Sequence, residues 1–186
     1  MRSFEPAATL DLIRERRITH WSALPESFEQ LRELGSDVVR AADTSSLREL
    51  EIGGAPATSM LKAWLADLFA PILNEAYGST EAGRISTMPL ARRHEKPESC
   101  GRPVRGVTVE IRDERGQRLP SGAIGEIWAR TPRSLECDLP ASSLRTRRDE
   151  DGYVATGDAG RVDEDGFIYI TGKAASLHEQ DLRHAG

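Results

Sequence analysis

No apolar run in the 186-residue sequence approaches the roughly twenty residues that a membrane helix needs. The opening, MRSFEPAATL, also lacks the basic-then-apolar layout of a secretory signal. The expectation is a soluble, cytoplasmic protein with no membrane partner. Cysteine is scarce: Cys100 and Cys137 are the two, without CxxC spacing, which excludes a disulfide scaffold, argues against structural zinc and leaves reduced, partly buried thiols. Basic charge is not in excess either, with 25 Lys and Arg against 30 Asp and Glu and a formal charge of -5. Nothing electrostatic therefore points to nucleic acid.

Several motifs fail on spacing. His178 and Glu179 begin an HExxH pattern, but Leu182 stands where the second histidine should be, so no metal is expected from that helix face. Gly172 and Lys173 resemble the end of a phosphate-binding P-loop, yet Phe167 takes the place of its first glycine and Ala174 that of its hydroxyl. Cys100 and His94 are separated by a polar turn containing Lys96, Pro97 and Glu98. A buried cysteine is the commoner reading there.

What is present is enough apolar residue, 38%, for one ordinary domain or two small ones. Pro6 can open a helix through Leu10 and Ile13, residues 18–21 favour a strand, and residues 26–34 read as a short helix ended by Gly35. Residues 47–52 read as a strand running into Gly53, Gly54, Ala55 and Pro56. A helix follows over residues 58–69, with Leu61, Leu65 and Leu68 as its apolar face and Met60 and Trp64 beside it. Pro71 stops it, residues 72–76 make another strand, and residues 77–83 read as a loop. The expected class is α/β, with parallel strands joined by crossover helices.

From about Arg92 the period becomes two. Val107, Val109 and Ile111 alternate with Thr108 and Glu110, residues 113–116 carry turn chemistry, and residues 124–129 form the return strand. Glu150-Asp151-Gly152-Tyr153 is echoed by Glu164-Asp165-Gly166-Phe167, each an Asp-Gly turn feeding a strand that starts with an aromatic. Residues 131–149, with Pro132 and Pro140, read as a long loop. The divisions expected are residues 4–91 as an α/β part, 92–173 as an antiparallel β part, and 174–186 as a tail.

Three segments carry candidate chemistry. Gly53, Gly54 and Ala55 end a strand where something approaches the backbone closely, either a flat base ring or simply a tight strand-to-helix turn. Tyr77, Gly78, Ser79, Thr80 and Glu81 put a ring, a bare backbone, two hydroxyls and a carboxylate at the end of a parallel strand. Open α/β sheets bind ligands there, although a polar surface loop with one core tyrosine reads the same way. Asp158 lies between Gly157 and Ala159-Gly160, suited to accepting from a ribose diol or to being a turn aspartate.

In order, Gly53-Gly54-Ala55-Pro56, NEAYGSTEAG (74–83), SCGRP (99–103), Gly125-Glu126-Ile127, YVATGDAG (153–160) and DEDGFIYITG (163–172) resemble the adenylate-forming superfamily. Acyl-CoA synthetases and peptide-synthetase adenylation domains belong to it. The similarity covers about residues 4–173 but only the latter part of that family's large domain.

The resemblance implies a partial large domain that binds ATP or AMP. Gly53, Gly54, Ala55, Ala76, Tyr77 and Gly78 would flank the adenine and acyl groups, with Tyr77 against the ring. Thr80 would bond the α-phosphate, Glu81 would bind Mg2+, Asp158 would take the ribose hydroxyls, and Lys173 would stand in the nucleotide-binding hinge. The implied reaction joins a carboxylic acid to AMP and then to the thiol of coenzyme A or a carrier protein. The family's phosphate loop and catalytic-lysine domain find no counterpart in these residues. Its hinge Gly-Arg here reads Gly172-Lys173, followed by Ala174-Ala175. The expectation is an AMP-binding part of a ligase, inactive alone. The alternatives are a non-catalytic remnant or regulatory module that packs on a full-length relative, or one half of a split enzyme; the protein partner expected is a complementary chain or a second copy in a homo-oligomer.

Overall fold

The computed structural model describes residues 4–132 and 147–176. Cys137, Pro140 and the 178–182 motif lie outside them, as do most of the loop assigned to residues 131–149 and most of the tail. The chain divides into two compact units: residues 1–76 with 88–95, and residues 77–87 with 96–186.

The first unit opens with helix α1 (Pro6–Arg16), started by its proline and ended by Arg17 in the left-handed region at φ 50°. Strand β1 (His20–Ala23) leads into α2 (Pro25–Glu33), again with proline in the first turn. Gly35, at φ 90°, ends α2 and also begins a further helix, α3 (Ser36–Ala41), that sequence periodicity does not reveal because it is less than two turns long. Strand β2 (Glu49–Gly53), helix α4 (Ser59–Phe69) and strand β3 (Leu73–Ser79) complete the run. In this unit β1, β2 and the first half of β3 pair in parallel, with His20 opposite Glu49, and Leu50 opposite Leu73. These are the expected crossovers.

Thr58 caps α4 by accepting the Leu61 N–H at 3.1 Å. The face α4 buries is Leu61, Leu65 and Phe69; Leu68 is only half-buried and Met60 is exposed. Leu68 and Phe69 stand at i+7 and i+8 from Leu61, both on the apolar face by spacing, and packing buries Phe69 the more deeply. These side chains join Phe28, Leu31, Leu50, Ile52 and Leu73 in one core. Lys62 on α4 donates to Glu75 on β3 at 2.6 Å, both largely buried.

In the second unit the chain turns back on itself earlier than expected. The segment 77–83 is not a loop: β3 continues through Tyr77 and Gly78 to Ser79, and β4 (Gly83–Pro89) returns after a short turn. The Ser79 hydroxyl accepts the Ala82 N–H at 3.1 Å and closes that turn. β5 (Arg102–Pro103) pairs antiparallel with β4. A second, wholly antiparallel sheet follows in the order β6 (Thr108–Arg112), β7 (Gly125–Arg130), β8 (Val154–Val162), β9 (Ile168–Lys173). Its core is Ile111, Ile127, Ala129 and Ile168, with Tyr77, Ala82, Ile85 and the buried Cys100.

Three turns in this unit share one construction. Asp113, Asp149 and Asp163 each donate their backbone N–H to the carbonyl of the residue four places on and accept the N–H of a glycine three places on at their own carbonyl. Each also takes that fourth residue's N–H on its carboxylate at 2.8–2.9 Å. The glycines, Gly116, Gly152 and Gly166, sit at φ 77°, 83° and 80°, where a side chain is strained. The two-copy echo in the sequence is thus a three-copy device; Gln117 replaces the aromatic in the third.

Burial opposes the charge of Asp163, but the Lys96 ammonium, the Phe167 N–H and the Tyr169 hydroxyl outweigh it and hold the carboxyl at about 2. That stabilisation is complete above the ordinary carboxylate range and disappears as pH falls from about 4 towards 2. Asp163→Asn is therefore expected to be less stable than the wild type at pH 7, by about 1–2 kcal/mol, with the gap narrowing below pH 4 in denaturant titrations. In the first unit, Leu65→Ala is expected to cost about 2–5 kcal/mol and Met60→Ala about 0.5 kcal/mol or less, read by the same titrations.

Candidate functional site

The candidate residues fall on both units. In the first, Gly53 ends β2 and faces Ala76 on β3. A Cβ on Gly53 would lie 2.6 Å from the Ala76 carbonyl oxygen, so the requirement for glycine here is met by strand packing alone. Gly54 is left-handed at φ 79° and, like Ala55, exposed.

In the second unit, Gly78 is fixed by the return of the chain: a Cβ would meet the Gly83 carbonyl oxygen at 2.3 Å. The turn that follows presents Thr80, exposed, and Glu81, half-buried. Thr131, just beyond β7, donates its hydroxyl to the Ala82 carbonyl at 2.7 Å and anchors the turn from below.

Asp158 is not in a turn but within β8, where the pairing with β9 slips between Ala159 and Gly160. Gly157, at φ 73°, makes the local bend. Thr156 stabilises it twice over, donating to the Ile127 carbonyl at 2.9 Å and accepting the Asp158 N–H at 3.2 Å. Such a bulge re-aims the side chain that follows it. The sequence marks Thr156 only as a hydroxyl two residues before the aspartate.

The Asp158 carboxylate, 13% exposed, joins two other candidates. Tyr77 donates its hydroxyl to one oxygen at 3.0 Å, and Lys173, at the end of β9, donates to the other at 2.5 Å. The Tyr77 ring is buried in the core of the second sheet. Burial raises its phenol far above the ordinary value and the Asp158 charge adds to this, so the hydroxyl stays protonated and donating. The Lys173 side chain is 74% exposed. A carboxylate has about four lone-pair positions; with two taken, two remain for a pair of neighbouring hydroxyls.

No cluster of three His, Cys, Asp or Glu suited to a metal occurs among the described residues. The donor set at Glu81, one carboxylate in an open turn, fits only a cation held mainly by phosphate oxygens and water, which is how Mg2+ is commonly bound beside a nucleotide. No helix among the described residues is long and apolar enough to cross a membrane.

Comparison with known proteins assigns the chain to a family. A family model described as AMP-binding enzyme covers residues 1–137, and the chain belongs to that family. It is 36% identical over 180 residues to the fatty acid–[acyl-carrier-protein] ligase ScoC of Streptomyces coeruleorubidus, covering 91% of this chain and 33% of ScoC. Among solved structures it is similar to the amide bond synthetase McbA of Marinactinospora thermotolerans, with TM-score 0.82, 34% identity, and 94% of this chain and 35% of that one covered. It is also similar to the o-succinylbenzoate coenzyme A synthetase MenE of Bacillus subtilis in complex with AMP, with TM-score 0.79, 25% identity, and 94% and 35% covered. The chain thus spans about a third of the length of these relatives. Both the adenylate-forming resemblance and the α/β-plus-antiparallel fold expected from the sequence are met.

Gly78→Ala is expected to force β3 and β4 apart and to lower stability by about 2 kcal/mol or more, since the obstruction is backbone. Gly157→Ala has open space around it and should cost only about 1 kcal/mol of strain. Thermal melts of the two variants check the order.

Proposed function

We propose that this chain supplies the ribose and α-phosphate side of an ATP-dependent carboxylate-activating ligase. The observation that carries the reading is the Asp158 carboxylate, held by Tyr77 and Lys173 with acceptor capacity left over. It stands in a family whose member MenE is solved with AMP. In this reading Asp158 accepts the 2′- and 3′-hydroxyls of AMP or ATP. Thr80 donates to an α-phosphate oxygen from the turn tip, and Glu81 faces the Mg2+ that accompanies the phosphates and, when bound, draws off their charge. Gly53, Gly54, Ala55, Ala76 and Gly78 contribute side-chain-poor backbone for the base and acyl groups. Lys173 balances the Asp158 charge where the family has an arginine; a lysine keeps the charge but not the planar fork.

The reaction served is attack of a carboxylate oxygen on the α-phosphorus of ATP, releasing pyrophosphate and giving an acyl-adenylate. Transfer to a thiol of coenzyme A or a carrier protein follows. Developing charge on the phosphate oxygens is met by fixed donors, of which this chain offers Thr80. None of the residues assigned here reaches the outer phosphates. The 186 residues assayed by themselves are therefore expected to give no carboxylate-dependent pyrophosphate exchange.

Calorimetric titration tests the binding half. AMP and ATP are expected to bind within about tenfold of each other, equal to roughly 1.4 kcal/mol, and Asp158→Ala should weaken both by about tenfold or more. Wild-type protein that binds neither nucleotide would overturn this reading and favour a non-catalytic interaction module. ATP binding far tighter than AMP would reveal an unassigned triphosphate contact.

A further inference from the structure

Tyr77 carries two features that a contact with a base does not by itself explain. Its ring is only 7% exposed and is packed among Ala82, Ile85, Ile111 and Ile127, and its hydroxyl ends on Asp158, 81 residues away along the chain. The core fixes the ring, and the hydroxyl emerges at the functional carboxylate. The other holding contact on Asp158 comes from Lys173, a long and largely exposed side chain that cannot by itself fix a rotamer. The phenol, rigid and anchored by burial, can.

We propose that Tyr77 is a positioning residue, whose buried phenol hydroxyl locks the Asp158 carboxylate in the rotamer that receives a ribose diol. The proposal rests on the ribose reading of Asp158 given above and adds to it the group that sets its geometry. Burial and the neighbouring carboxylate keep the phenol protonated, so the contact remains a donor throughout the pH range in which the protein is handled. Thr156 restrains the backbone of the same aspartate, leaving the side-chain torsions to Tyr77.

The test compares AMP with 2′,3′-dideoxy-AMP in calorimetric titrations of the full chain. Wild type is expected to prefer AMP. Tyr77→Phe, which keeps the ring and removes the donor, should weaken AMP by about ten- to a hundredfold, the scale of one hydrogen bond to a charged group. It should leave dideoxy-AMP binding unchanged, whereas a general loosening of the core would weaken both ligands alike. Equal weakening of the two nucleotides, or no change for either, would overturn the proposal. Asp158→Asn separates the two levels of argument: if it leaves AMP binding intact, the ribose reading itself fails. If it weakens AMP while Tyr77→Phe does not, only the positioning role falls.

Should Tyr77→Phe fail to fold, NMR of the wild type gives the second measurement. A slowly exchanging tyrosine hydroxyl proton, lost in Asp158→Ala, supports the contact. Absence of such a proton in the wild type overturns it.

Discussion

One side chain, Tyr77, ties the framework of the second unit to its functional end. Its ring belongs to the core beneath the antiparallel sheet and its hydroxyl to a carboxylate in β8. Mutual support follows from that double membership. The core fixes where the phenol oxygen lies, and the carboxylate satisfies a polar group that would otherwise be costly to bury. The glycine after Tyr77 completes the constraint, because the chain must fold back at once and only a residue without a side chain fits against the Gly83 carbonyl. The motif's order of aromatic then glycine is therefore as much a packing requirement as a binding one.

Much of this was legible from residue pattern. Proline at the starts of α1 and α2, the parallel strands with their crossover helices, and the alternation at Val107, Val109 and Ile111 all follow from local chemistry. The misreadings share a cause. Residues 77–79 look like loop because Gly78 and Ser79 are turn-forming residues, yet pairing in a hairpin overrides that preference. Helix α3 escapes because six residues cannot display a helical period. Leu68 and Phe69 are equally apolar, and only their place against the strands distinguishes them.

The site was legible in its parts and not in its connections. Asp158 stands out by its glycine neighbours, but nothing in the sequence links it to Tyr77 or Lys173, since such pairings depend on strand register. The slip between Ala159 and Gly160 leaves no compositional mark beyond the glycines themselves. Gly53 illustrates the opposite case, a motif residue whose identity is already demanded by the neighbouring strand.

The thrice-used aspartate turn gives the antiparallel sheet a kinetic character. Each copy closes over five residues, so the chain entropy spent on joining its ends is small. β8 and β9 meet directly across one such turn, and the turn at Asp113 starts the return from β6 towards β7. Hairpins of this kind form in about 1–10 μs, well before partners distant in sequence find one another. The long-range bond from Tyr77 is accordingly expected to close onto a β8–β9 ribbon already in register, which makes the functional carboxylate a late arrival at an early scaffold.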